Sequence, residues 1–308
     1  MSALGRSIED YLELRRALGY KLEAHSRLLP QFVEFLDQQQ TPVITTALAL
    51  EWATQPVSGS IVWWHQRLAV VRGFARYLQA ADPRHEVPAD DLLPAKFARA
   101  VPYLYSEAEI ERLMQAAGAI SSPLKAATYQ TLIALLAVTG MRIGEAIGLD
   151  RADVELAEGR LIVRRAKNGR SRELPLHPTT VDALDSYATL RDKACPSPKA
   201  PSFLVTTTGR RLNKGTVWHD FDRLRRISGL DRASLGRRAR IHDLRHAFVL
   251  RTLLGWYRQD LDVEAQLPVL SAFLGHVHPS DTYWYFEGAP QLLALAAERL
   301  ERIWENHE

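Results

Sequence analysis

An all-helical amino-terminal domain, followed by a larger mixed α+β, mainly helical domain with a small antiparallel three-stranded sheet, is the fold class this 308-residue sequence predicts. Three observations predict it. Apolar residues recur at helical spacing through residues 6–80. A stretch holding four prolines, residues 81–104, then breaks that periodicity. Past Leu149 the pattern changes to short strands around an Asn168-Gly169 pair, and helices resume afterwards.

The helical segment opens with Ile8, Tyr11, Leu12, Leu14 and Leu18 and continues with Leu28, Phe32, Phe35 and Leu36. Breaks fall at Gly19, at Thr41-Pro42 and between Pro56 and Ser60, and a further helix runs from Ile61 to Ala80 with Arg67, Arg72 and Arg76 among its apolar residues. Trp52, Trp63 and Trp64 read as core rather than as a ligand platform. The domain is expected over residues 1–85, a linker over 86–102 and the second domain over 103–308.

In the second domain Ser106 and Glu109 form a capping box for a helix through Ala117, and another helix spans Ser122 to Thr139. Gly140 interrupts the apolar run, and Arg142 follows where an unpaired guanidinium is costly to desolvate. Glu145 lies one turn on and can hold it. The pair reads equally as a structural cap or as an arrangement with donors left for an anion.

Strands are expected at 154–156, 160–166 and 170–176. Asn168-Gly169 is a strong hairpin signal, which puts Lys167 at the tip with Arg170 and Arg172 beyond it. Such a lysine is ordinarily a solvated edge residue. Helices follow at 180–194 and, capped by Asn213, from Lys214 to Ser228. Next come HDLRH at 242–246, where His242 and Arg245 share a face, and LGHVHPSDTYWYF, with tyrosines at 283 and 285 that would ordinarily pack. A last helix is expected over 290–305.

A formal charge of +3 conceals uneven distribution. Residues 1–99 carry eleven basic and eleven acidic side chains, 202–251 carry twelve against four, and 252–308 carry three against nine. A basic block of this kind predicts a polyanion-binding surface. The single cysteine, Cys195, excludes an internal disulfide and a cysteine-based metal site. His242 and His246 stand four apart as zinc ligands do, but Asp243 replaces the glutamate of the protease motif and no third ligand is apparent, so no metal is expected. No bilayer-length apolar run or export signal is seen, and a cytoplasmic protein is expected.

Taken together, TGMRIGE, AKNGR, HDLRH, LGH and a tyrosine nine residues beyond His276 resemble the tyrosine recombinase, or phage integrase, family, including its Xer-type and Cre-type members. By motif the resemblance covers residues 103–290; residues 1–99 match only as a helical, SAM-like core-binding domain. It implies a site-specific DNA recombinase of the integrase or transposase kind, which breaks and rejoins strands through a 3′-phosphotyrosyl intermediate without a cofactor. Tyr285 would be the nucleophile. Arg142 and Arg245 would clamp the phosphate, Lys167 would protonate the leaving oxygen, His242 would act as general acid and base, and His276 would donate to the phosphate. Glu145 would orient Arg142.

The chemistry agrees with this set, since metal-free phosphodiester cleavage needs a nucleophile, cationic donors and an acid. Duplex DNA is the expected partner, met by Arg170, Arg172, Arg210, Arg211, Lys214, Arg223, Arg226, Arg237 and Arg238, with a tetramer on two sites assembled through the carboxy-terminal helix. One departure from compact members is the longer stretch LLGWYRQDLDVEAQLP between Arg245 and His276. A type IB topoisomerase with the same chemistry and a non-catalytic DNA-binding regulator on the same fold are the competing readings.

Overall fold

A computed structural model describes residues 3–56, 59–94, 102–164, 171–231 and 238–276. The chain divides into two units, Met1–Ala100 and Val101–Glu308. Four helices make the first: α1 (Ala3–Ala17), α2 (Glu23–Gln38), α3 (Thr46–Thr54) and α4 (Ile61–Gln79). The Thr45 and Ser60 hydroxyls accept from the amides of Leu48 and Trp63 and cap α3 and α4, each cap stabilising its helix by about 1 kcal/mol. The apolar stripes meet on Leu28, Phe32, Leu36, Ile44, Leu68 and Phe74, none more than 1% exposed. Trp52 sits edge-on to Phe32 at 5.1 Å, and Trp63 and Trp64 pack partly buried on the same core. The tryptophans are core residues, as read from the sequence.

Residues 86–94 of the expected linker lie on this unit as a strap. Arg72 donates to the carbonyls of Pro88 and Ala89 at 2.7 and 2.6 Å and pairs with Asp90 at 2.7 Å. Just upstream His85 Nδ1 accepts from the Ile44 amide at 3.1 Å, and further along Leu93 is buried in the core. Prolines remove periodicity but leave carbonyls unpaired, and an arginine finds them.

The second unit contains α5 (Glu107–Gly118), α6 (Pro123–Thr139), a single turn α7 (Ile143–Ala146), strands β1 (Val154–Glu155), β2 (Arg160–Val163) and β3 (Arg172–Pro175), then α8 (Pro178–Ala194), α9 (Lys214–Ile227), α10 (Asp243–Arg258) and α11 (Val263–Leu274). The predicted capping box forms: Glu109 N donates to Ser106 Oγ at 3.3 Å and Ser106 N to Glu109 Oε2 at 2.8 Å. The sheet is antiparallel in the order β1-β2-β3, so the mainly helical class with a small three-stranded sheet stands.

Leu161, Val163 and Leu174 point into a core shared with Leu132, Ile133 and Phe203. The strands are shorter than expected, and the register differs. An Asn168-Gly169 two-residue turn would set Val163 opposite Leu174, whereas Val163 pairs with Arg172. Lys167 and Arg170 in the connection lie outside the described residues. The long stretch after Arg245 is helix rather than loop: it fills α10 and α11 with only 259–262 between them, and Val249, Leu253, Leu267 and Leu274 pack the two together.

Candidate active site

The site is built from the carboxy-terminal ends of two helices. Such an end leaves its last carbonyls without helical partners and carries the negative pole of the helix dipole, so cations gather there. α6 stops at Gly140, which takes φ +59°, and a Cβ there would run into the Phe248 ring, so only glycine fits. α11 stops at Gly275 with φ +66°.

Arg245, 3% exposed on the first turn of α10, spans both ends. It donates through Nη1 to the Gly140 carbonyl at 2.7 Å and through Nη2 to the Leu274 carbonyl at 3.0 Å and to His276 Nε2 at 2.7 Å. A guanidinium only donates, so His276 Nε2 accepts and the ring proton sits on Nδ1. Arg142, freed from the helix by Gly140, turns toward the same place: Nη1 and Nη2 reach the Gly275 carbonyl at 3.4 and 3.3 Å. Adjacent carbonyls of one turn thus hold both arginines.

Glu145 fixes Arg142 at both ends, accepting from its amide at 2.9 Å and from Nη1 at 3.0 Å. Burial works to raise the Glu145 pKa, but hydrogen bonds from Arg172 and the Arg142 amide, with both guanidinium charges, outweigh it and hold the carboxyl below its ordinary value. Arg142 keeps 28% of its side chain exposed. His242 stands at the residue before α10 without a side-chain capping bond, its ring perpendicular to that of His246 at 5.1 Å. His242 is exposed, yet the protein around it lowers its pKa by desolvation, and the charge of Arg245 adds to this, with smaller contributions from Arg240 and Arg142, while Asp243 opposes them. Asp243 is fully buried and accepts from the Arg240 amide at 2.8 Å and from its guanidinium at 2.9 Å, which anchors the loop before HDLRH.

Five of the expected residues therefore meet: Arg142, Glu145, His242, Arg245 and His276. Lys167 and Tyr285 lie outside the described residues, as do Arg170, Arg237, Tyr283 and the helix expected at 290–305. Among the residues expected on DNA, Arg210 and Arg223 are exposed. Lys214 lies over α7, where a Cβ on Gly144 would come within 3.3 Å of Nζ. Arg226 and Arg238 are exposed but share Asp222 at 3.3 and 3.1 Å. Arg211 donates to the Ile147 carbonyl at 3.0 Å and pairs with Asp150.

Arg172 differs most from expectation. It is turned inward, 12% exposed, onto Glu145 and the Phe273 carbonyl. Its signal was present in the two-residue strand period, because Arg172 shares a face with buried Leu174. Beside His242 a pocket of about 280 Å3 is floored by Phe221 and Ile241 and rimmed by Trp218, Asp222 and Arg238.

The sequence profile of the phage integrase family matches residues 104–291. The inferred integrase/recombinase y4rB of Sinorhizobium fredii is 43% identical over 314 residues, 99% of this chain and 99% of its own. The tyrosine recombinase XerC of Azotobacter vinelandii is 32% identical across 71% of this chain and 67% of its own. Among solved structures, the Tn1549 transposon integrase in complex with a circular intermediate DNA aligns with a TM-score of 0.68 at 16% identity, covering 96% of this chain and 99% of that one. XerH bound to difH substrate in a pre-cleavage complex aligns at 0.63 and 18% identity, covering 92% and 82%. These two share the fold.

Proposed function

The chain belongs to the phage integrase family, and from that premise we propose that it is a site-specific DNA recombinase that cuts and rejoins duplex DNA through a 3′-phosphotyrosyl intermediate. The observation that carries this reading is the anchoring of Arg142 and Arg245 on the neighbouring carbonyls of Gly275 and Leu274, beside His276 and with His242 in their field.

In the reaction the Tyr285 oxygen bonds to phosphorus as the bond from phosphorus to the 5′ oxygen breaks. The phenol proton passes to neutral His242, whose lowered pKa keeps it a base at neutral pH. Lys167 gives a proton to the departing 5′ oxygen. Arg142 and Arg245 neutralise the charge that builds on the non-bridging oxygens, and His276 donates to one of them through Nδ1. The phosphotyrosyl bond conserves the energy of the broken one, so a 5′ hydroxyl of another strand reverses the step without ATP.

The helical unit is the core-binding domain in this reading. The exposed arginines of residues 210–240 lie on phosphates, which makes binding salt-dependent. The active form is a tetramer on two sites, joined through the carboxy-terminal helix and working in the cytoplasm.

The test is covalent capture on a randomised library of nicked duplexes, with denaturant-resistant adducts sequenced. Wild type should enrich one sequence. Tyr285→Phe should abolish adducts and keep duplex affinity, whereas loss in Tyr283→Phe alone would assign the other tyrosine. Adducts without sequence preference, with plasmid relaxation, would indicate a topoisomerase; binding with no adduct would indicate a regulator.

A further inference from the structure

Glu145 presents an electrostatic difficulty for the proposed role of Arg142. A carboxylate at 3.0 Å orients the guanidinium but also cancels its charge, which a phosphate needs. The answer lies on β3. Arg172 donates through Nη2 to Glu145 Oε2 at 2.8 Å and through Nη1 to Oε1 at 3.2 Å, and through Nε to the Phe273 carbonyl at 2.8 Å.

The bonds close into a ring. Arg142 holds Glu145, Glu145 holds Arg172, Arg172 holds the end of α11, and the Gly275 carbonyl there returns to Arg142. Two guanidinium groups around one carboxylate leave a net charge of about +1. Gly275 is required for this approach, since a Cβ on it would lie 2.7 Å from Arg172 Nη1. Three elements far apart in sequence are thereby fixed to one another through partly buried charges.

We propose that Arg172 is a positioning residue: as counter-ion to Glu145 and anchor of the Phe273–Gly275 turn, it leaves the charge of Arg142 uncancelled and its guanidinium aimed at the phosphate. The proposal rests on the recombinase reading for the identity of that phosphate. It separates Arg172 from the arginines that touch DNA, because a side chain 12% exposed with its donors on Glu145 and Phe273 is not a backbone contact.

The experiment uses full-length Arg172→Met, Arg172→Lys, Glu145→Gln and the Arg172→Met/Glu145→Gln double variant. At saturating DNA, Arg172→Met should slow adduct formation about 100-fold, in the range for loss of one preorganised donor. Arg172→Lys should recover part of the rate, since one ammonium replaces the charge but not the fork. The decisive sign is in the double variant: removing the unbalanced carboxylate as well should make it faster than Arg172→Met alone. A double variant slower than either single one overturns the proposal.

So does a change in salt dependence on random duplex: a phosphate contact would lower the slope by about 1, whereas a positioning residue leaves it unchanged. Hydrogen exchange supplies the arm that needs no catalysis. Arg172→Met should speed exchange at Gly275 and His276 while the earlier turns of α11 keep their protection, and unchanged exchange refutes the anchoring. Absence of adducts in the wild type would defeat the recombinase reading, with the exchange result still deciding whether Arg172 anchors the turn.

Discussion

Both units bury arginines, and Arg67 in the first and Arg245 in the second serve different ends. In the helical unit Arg67 is 7% exposed, lies 3.6 Å over the Trp52 ring and donates to the Trp52 carbonyl at 2.6 Å. In the second unit Arg245 is 3% exposed and likewise donates to carbonyls at helix ends. Arg67 has one such end, fifteen residues away, and caps α3. Arg245 joins two ends that are 105 and 29 residues distant, and a histidine and a second arginine stand there with it. A buried guanidinium is thus a packing device until other chemistry converges on it.

The comparison breaks most visibly at the residues proposed for chemistry. Lys167→Ala should slow cleavage by about 10² to 10⁴, the range for a lost general acid. A substrate with sulfur at the 5′ bridging position, whose departure needs no proton, should restore the rate, and failure to do so would remove Lys167 from that role. Arg142→Ala should lower adduct formation by about 10² to 10³ with little change in unfolding midpoint. Arg67→Met should do the reverse, leaving adduct formation intact while lowering stability by about 1 to 2 kcal/mol in denaturant titrations. A cleavage defect in Arg67→Met would erase the distinction between the two units.

Two glycines sharpen it further. Gly140→Ala should destabilise by more than the roughly 1 to 2 kcal/mol of a left-handed residue, because Phe248 occupies the space. Gly229→Ala, also at positive φ but with nothing within 4 Å, should cost only that amount. Equal losses at both would mean that Phe248 moves freely. The smallest effect is in the pH profile. With the His242 pKa lowered, the decline of single-turnover cleavage toward acid should be centred below the middle of the ordinary histidine range. A decline centred above that range would assign the acid limb to another group.

Much of the site was legible because its signals are local. Gly140 stops a helix, Glu145 sits three residues from Arg142, and HDLRH places His242 and Arg245 on one turn. The core tryptophans followed from their setting. From the sequence Arg172 reads as a DNA contact because it follows a turn signal, although the face it occupies is set by Leu174 and by a ladder whose register a turn at Asn168-Gly169 does not give. The strap at 86–94 escaped detection for a related reason: the carbonyls of Pro88 and Ala89 carry no mark in the sequence, and only Arg72 in the fold shows that they are acceptors. The stretch after Arg245 reads only as longer than in compact members because its extra length is visible and its packing on Val249 and Leu253 is not.

That strap has a practical reading for anyone who wants the first unit alone. A gene fragment ended at residue 80 would discard Leu93 and His85, leave Arg72 facing water, and report the instability of a truncation as if it belonged to the domain. Cloning through Pro94 keeps the buckle with its belt.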